Sequence, residues 1–359
     1  MQTRIRSTLL AAVVFFTLGG QAAANTLTQN VSWTIDRAGT STKYRVVAYG
    51  DSIYAGYNGS ITSAAKYSAP TVDAEYLSAA WNADIESVRR AKSGAVASDV
   101  YNNKIVAERS YMQASNTRVV TFEMCGNDGL QARSAFKGQT GTCDDSVLTA
   151  AENSCKTYVA AAMDYINANA YSGVKVKVIS NLHYPGYAAD NVQSSCKDPN
   201  TGATVNMQQK FLPALARMNF MMCDTARQKG FQCADNFAQY MGADYDSNGD
   251  GIADSDALRY VAGESQASYV TRITSTLRST IRDANTHFVS AGSSYDYIQS
   301  DDTHPTYTGS TVTAGLFGGT TGTGAPRYTS FSSGKNPIWN QFGHERMGWA
   351  VSVFNSPTP

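Results

Sequence analysis

The chain has 359 residues, 42% of them hydrophobic, and its 29 basic and 29 acidic side chains cancel to a formal charge of zero. Only 16% of residues are charged, and Lys and Arg are scattered, which excludes the clustered basic surface that nucleic acid or an anionic membrane selects. Six cysteines are present, but no Cys-x-x-Cys spacing joins them, which argues against zinc or thioredoxin-like chemistry.

The N-terminus carries Arg4 and Arg6, an apolar run Leu9–Leu18, and Ala22-Ala23-Ala24 ahead of Asn25. This pattern is a secretory signal over Met1–Ala24. Its apolar run is too short for a permanent membrane-spanning helix, and no later stretch is longer. A secreted or periplasmic protein without a transmembrane anchor is expected. Residues 25–359 have no repeat and no obvious linker and are read as a single elaborated domain.

Along that domain, apolar β-branched runs alternate with helix-length stretches. Strands are expected at Tyr44–Tyr49, Ile85–Val88, Val119–Met124, Val174–Ser180 and Phe231–Phe237. Helices are expected at Ala69–Trp81, Thr149–Ala168 and Val205–Lys229. Such alternation implies an α/β fold: a three-layer α/β/α sandwich around a parallel sheet of about five strands, flavodoxin-like, with long insertions. In such sheets ligands bind beyond the carboxyl ends of the strands.

Three of those ends carry polar turns. Val46–Tyr49 leads into Gly50-Asp51-Ser52, Ile85–Val88 into Ala91-Lys92-Ser93-Gly94, and Val119–Met124 into Gly126-Asn127-Asp128. Near the C-terminus, Asp301-Asp302-Thr303-His304-Pro305 sets a carboxylate three residues from an imidazole. A serine at a strand end needs a base to take its proton, and the base needs an acid to orient it. A glycine N–H and an asparagine amide are neutral donors suited to a developing oxyanion.

Four such blocks in this order resemble the SGNH hydrolases, the GDSL-type esterases and lipases. The resemblance covers about Arg45 to Ala350. It implies Ser52 as nucleophile, His304 as base, Asp301 as orienter, and an oxyanion hole from the N–H groups of Ser52 and Gly94 with the Asn127 amide. Ile53 stands in place of the family's leucine, and Cys125 where the third block often has glycine. Among the pairings open to six cysteines in an oxidising compartment, Cys125–Cys143 is favoured, because it would hold the Asn127 loop. Gly-x-Ser-x-Gly is absent from the sequence, which excludes the α/β-hydrolase elbow.

Two insertions depart from a minimal fold of this kind. Near 238–290, Asp246, Asn248, Asp250, Ile252, Asp254 and Asp256 follow the spacing of a calcium loop, although Ala257 stands where an EF-hand needs glutamate. A structural calcium ion is expected there, with no cofactor for catalysis. Near 310–342 a Gly/Ser/Thr-rich segment with Phe317, Tyr328, Phe331 and Trp339 separates the His304 turn from Gly343-His344. It reads equally as a substrate wall or as a surface loop anchored by its aromatics.

Of the four histidines, His183 follows the fourth strand and reads as structural or pocket-lining, His287 falls in an expected strand, and His344 falls at a helix start. Asp51 and Asp128 read as loop braces, and Ser93 lacks the strand-turn setting of Ser52. The function expected is hydrolysis of carboxylic esters, of acetylated glycan or of lipid, through an acyl-enzyme. Acyl transfer to a non-water alcohol, and glycan binding without turnover, are the alternatives.

Overall fold

The computed structural model describes residues 29–37, 39–60, 62–187, 189–241, 258–277, 297–301, 303–313, 320–327, 342–355 and 358–359. Strands form at Val31–Ile35 (β1), Lys43–Gly50 (β2), Ser63–Ala65 (β3), Asp84–Ala91 (β4), Thr117–Glu123 (β5), Gly141–Thr142 (β6), Val176–Ser180 (β7), Gln193–Lys197 (β8), Thr204–Asn206 (β9), Gln232–Ala234 (β10), Thr311–Thr313 (β11) and Thr320–Gly324 (β12). The main helices are Ser52–Ala55 (α1), Ala69–Trp81 (α2), Gly126–Lys137 (α3), Ser146–Asn169 (α4), Met207–Gln228 (α5), Asn236–Met241 (α6), Gln266–Thr276 (α7) and Gly343–Ser352 (α8).

The central sheet runs β10-β7-β5-β2-β4-β1-β12. Its first five strands are parallel and are the five expected. Alternation along them explains the three layers. Val46, Val119, Val176 and Val178 face α2 and α8, where Ala74, Leu77, Ala350 and Val351 cover them. Val47, Tyr49, Val120, Phe122 and Ile179 face the other way, onto Val159 and Met163 of α4 and Met218 and Met222 of α5.

Two strands of this sheet were not expected. β1 pairs antiparallel with β4, and β12 pairs parallel with β1. They cover what would be an open β4 edge with unpaired backbone groups. β12 lies inside the 310–342 insertion, so that part of the insertion extends the sheet. Arg327 ties it down further, reaching Glu75 Oε2 at 3.3 Å and Glu345 Oε1 at 3.1 Å, both acids being buried. Phe317, Tyr328, Phe331 and Trp339 lie outside the described residues.

The expected strand at Phe231–Phe237 is shorter, because its second half is helical. Asn181 Oδ1 accepts the Phe237 N–H and Asp235 Oδ1 accepts the Ala238 N–H, which starts α6 instead. The favoured Cys125–Cys143 pairing is also corrected. The disulfides are Cys125–Cys155, Cys143–Cys196 and Cys223–Cys233. Register decides the second: Gly141 of β6 pairs with Cys196 of β8, so Cys143 is drawn towards β8. Cys125, at the start of α3, is left to Cys155 of α4, Cα to Cα 5.4 Å. The Asn127 loop is still anchored, through a helix rather than a neighbouring turn.

Candidate active site

β2, β4 and β5 end at the same edge of the sheet, and their turns are stitched together there. The Lys92 N–H donates to the Gly50 carbonyl at 3.1 Å, joining the second turn to the first. Asn127 Nδ2 donates to the Ala95 carbonyl at 3.0 Å, joining the third to the second. Gly94 and Cys125 both take the left-handed backbone conformation, φ +76° and +80°. That conformation favours glycine; at position 125 a disulfide holds a cysteine in it.

Asp51 caps α1, its Oδ1 accepting the Ile53 N–H at 2.9 Å, so Ser52 opens the helix. Ser52 Oγ lies 2.8 Å from His304 Nε2. On the other side of the ring, Nδ1 donates to Asp301 Oδ2 at 2.6 Å. With Nδ1 donating to a carboxylate, Nε2 of the neutral ring is the acceptor and can take the serine proton. Burial pushes the Asp301 carboxyl up. Hydrogen bonds from the His304 ring and backbone and from the Thr303 N–H outweigh it and hold it at about 2.

The sequence did not reveal what steadies the His304 turn. Gln299 Nε2 donates to the carbonyls of Tyr57 and Pro305 at 2.8 and 2.7 Å, and its N–H donates to the His304 carbonyl at 2.7 Å. The Tyr57 ring lies 4.4 Å from the imidazole, centroid to centroid. Nothing in the chain order links Gln299 to Tyr57; the contact exists only in the fold.

A buried acid pair sits beneath Ser52. Glu123, the last residue of β5, is 3% exposed and Asp51 is 1% exposed. Glu123 Oε1 accepts the Asp51 N–H at 2.7 Å. Burial raises both carboxyls, and for Glu123 the adjacent Asp51 charge raises it further. Two facing acids in a low-dielectric site do not both ionise, so the pair holds a proton between them. Glu123 carries it. Asp51 is stabilised as the anion by the Ile53 N–H and by Asn127 Nδ2 at 3.0 Å. An acid ending an otherwise apolar strand run was the available signal for Glu123.

Asn127 thus has both amide hydrogens engaged, by Asp51 and by Ala95. Asp128 braces its loop, accepting the Ala97 N–H at 2.7 Å and the Ser154 hydroxyl at 2.9 Å. Ser93 donates to Gln29. His183 is both structural and pocket-lining: Nε2 donates to the Thr303 carbonyl at 3.0 Å, and burial lowers its pKa to about 4. His344 is buried at the start of α8, its pKa lowered to about 3 by burial. Both rings are neutral near pH 7. His287, Asp302 and the calcium-loop residues Asp246, Asn248, Asp250, Ile252, Asp254 and Asp256 lie outside the described residues. Among the described residues, no group of three or more His, Cys, Asp or Glu is placed to hold a metal ion.

A cavity of about 110 Å³ opens beside Ser52, bordered by Asn127, His183 and Thr303 and walled by α3, α4 and α5. Arg133 lines it, but its charge is taken up by the buried Asp190 through contacts of 2.6–2.9 Å.

No family model and no curated protein matches the chain. Among solved structures it is similar to the lipase Lip_vut3 from a goat rumen metagenome, at 14% identity over 67% of this chain and 100% of that one, TM-score 0.42. It is similar also to an extracellular lipase from Streptomyces rimosus, at 17% identity over 56% of this chain and 83% of that one, TM-score 0.39. A third is an acetylxylan esterase from Geobacillus stearothermophilus, at 12% identity over 57% of this chain and 80% of that one, TM-score 0.34.

Proposed function

We propose that this protein is an exported serine carboxylic-ester hydrolase of the SGNH type. The observation that carries this is the relay from Asp301 through the His304 ring to Ser52 Oγ, with separations of 2.6 and 2.8 Å. In the first step Ser52 Oγ attacks the ester carbonyl as His304 Nε2 takes its proton, and Asp301 stabilises the imidazolium that forms. The N–H groups of Ser52 and Gly94 and the Asn127 amide receive the oxyanion. Asn127 does so through a three-centre bond, since its hydrogens already reach Asp51 and Ala95. Collapse of the intermediate breaks the carbon–oxygen bond, and His304 returns its proton to the leaving alcohol. Water, deprotonated by the same ring, then releases the acid and restores Ser52.

Export is supported by the Met1–Ala24 pattern and by three disulfides. No helix of the described residues is long and apolar enough to cross a membrane. The oxygen series Asp246–Asp256 supports a structural calcium ion that takes no part in the chemistry.

The test is Ser52→Ala. Ester turnover is expected to fall by about 10⁴-fold or more, and labelling by a fluorophosphonate should vanish while the melting curve is kept. A Ser52→Ala protein that still takes up one equivalent of label has its nucleophile elsewhere.

A further inference from the structure

Cleavage of an acetyl ester needs no more than a methyl-sized recess beside the nucleophile. The cavity here is far larger and is built for something apolar. From Ser52 and Asn127 its lining continues past Leu130 of α3 to Leu148 of α4 and to Phe211 and Met218 of α5. Asp51, Glu123 and Asn127, which also border it, are linked by hydrogen bonds at the Ser52 end. Arg133 is neutralised by Asp190, which is itself fully buried and accepts from the Tyr184 hydroxyl at 2.7 Å. The walls therefore offer no charge to a sugar acid or a phosphate.

The position of the cavity says which half of the ester it serves. The leaving alcohol must lie next to His304 Nε2 to receive its proton. His304 does not line the cavity, whereas Gly126, Asn127 and Gly129 of α3 do. The space thus opens on the acyl side of the scissile bond. Each water-sized or methylene-sized group takes up about 30 Å³ of filled space, so ≈ 110 Å³ holds roughly four of them.

We propose that this cavity binds the acyl chain of the substrate, which is the ester of a short to medium-length aliphatic acid, roughly five to eight carbons long. This rests on the assignment of Ser52 as the nucleophile. Each methylene moved from water into an apolar pocket is worth about fourfold in equilibrium or in kcat/KM. A chain lying along Leu130, Leu148 and Phe211 gains that factor repeatedly, while an alkyl group on the alcohol gains little.

The experiment compares methyl acetate, methyl octanoate and octyl acetate, all below their micellar concentrations. Methyl octanoate should exceed methyl acetate in kcat/KM by about 10²-fold or more, and octyl acetate should stay within about threefold of methyl acetate. Two variants read the pocket directly. Ala214→Trp, on α5, fills it, and the octanoate-to-acetate ratio should fall at least about tenfold. Leu148→Ala lengthens it, and the optimum should move to a longer acid. Stoichiometric labelling of Ser52 by a small fluorophosphonate confirms that each variant keeps a working site.

An acetate preference in the parent enzyme would overturn the proposal and leave the esterase function standing. So would a gain for octyl acetate equal to that for methyl octanoate, which would put the chain on the alcohol side. Ratios unmoved in both variants would do the same. If no ester were turned over and Ser52 took no label, the nucleophile assignment would fall, and this proposal with it.

Discussion

Replacing Glu123 by glutamine removes one proton site from beneath the Ser52 turn while keeping the shape of the side chain. The amide oxygen can still accept the Asp51 N–H, which Glu123 Oε1 now accepts at 2.7 Å, and the amide N–H can still donate to the Asp51 carboxylate. The sign of the pH effect follows from linkage. The folded-state pKa of Glu123 is raised well above its ordinary 4.5, by burial first and by Asp51 second. Its contribution to stability is therefore complete below pH 4.5 and is lost as the pH rises through the folded value. The loss is about 1.4 kcal/mol per pH unit for one proton. Asp73 and Glu75, both raised to about 7 by burial, add slopes of the same sign, but these are common to both proteins and cancel in the difference. Guanidinium denaturation of wild type and Glu123→Gln between pH 5 and 9 should show the variant gaining on the wild type as the pH rises. At pH 7 the variant should keep kcat within about threefold, because no hydrogen bond is lost. A stability difference that stays flat across the range would mean that Glu123 carries no proton in the folded state.

Asn127→Ala should lower kcat by about 10²-fold or more with a smaller change in KM; a loss confined to KM would make Asn127 a substrate-binding residue instead. Arg327→Met removes the ion pair of Glu75, which is 0% exposed, and should cost about 3–5 kcal/mol at pH 8. The deficit should shrink towards pH 5 as Glu75, raised to about 7 by burial, takes up a proton, which denaturation curves at the two pH values measure. Chelation by EDTA should lower the melting temperature, since an ion bound only by the native state stabilises it by mass action. Asp246→Ala with Asp250→Ala should abolish that response.

How much of this was legible beforehand depends on whether the signal is local. The inner parallel strands were readable because both faces of their carboxyl halves are buried, which forces largely apolar runs such as Val46–Tyr49 and Val119–Phe122. Asp301 and His304 were readable because the acid and the base share one turn. β1 and β12 were not: each is short, and β12 is Thr320-Thr321-Gly322-Thr323-Gly324, a run with no apolar residue. It is a strand because Trp33 of β1 covers Gly322 and Gly324, where at Gly324 a Cβ would meet the indole at 2.8 Å. The disulfides failed for a related reason. A bridge spanning the Asn127 loop favoured Cys125–Cys143, but the β6–β8 register, which no local pattern reports, decided the partners.

Gly50, the first residue of the Gly50-Asp51-Ser52 turn, packs against the buried acid. Its φ is not in the left-handed region, so the backbone does not demand glycine there. Space does: a Cβ would lie 2.6 Å from Glu123 Oε1 and 2.8 Å from Tyr54 Cβ. Gly50→Ala should therefore push the Glu123 carboxyl off the Asp51 N–H and disturb the cap that sets Ser52. Overpacking of this kind costs about 1–3 kcal/mol. If Glu123 is the group displaced, the cost should fall once that side chain is cut back, leaving only the Tyr54 contact. A double-mutant cycle of Gly50→Ala and Glu123→Ala, followed by denaturation, isolates the shared part. Coupling of about 1 kcal/mol or more is expected for residues in this kind of contact. Additivity within about 0.3–0.5 kcal/mol would show that Gly50 answers to Tyr54 alone and that the acid pair does not reach Ser52 through it.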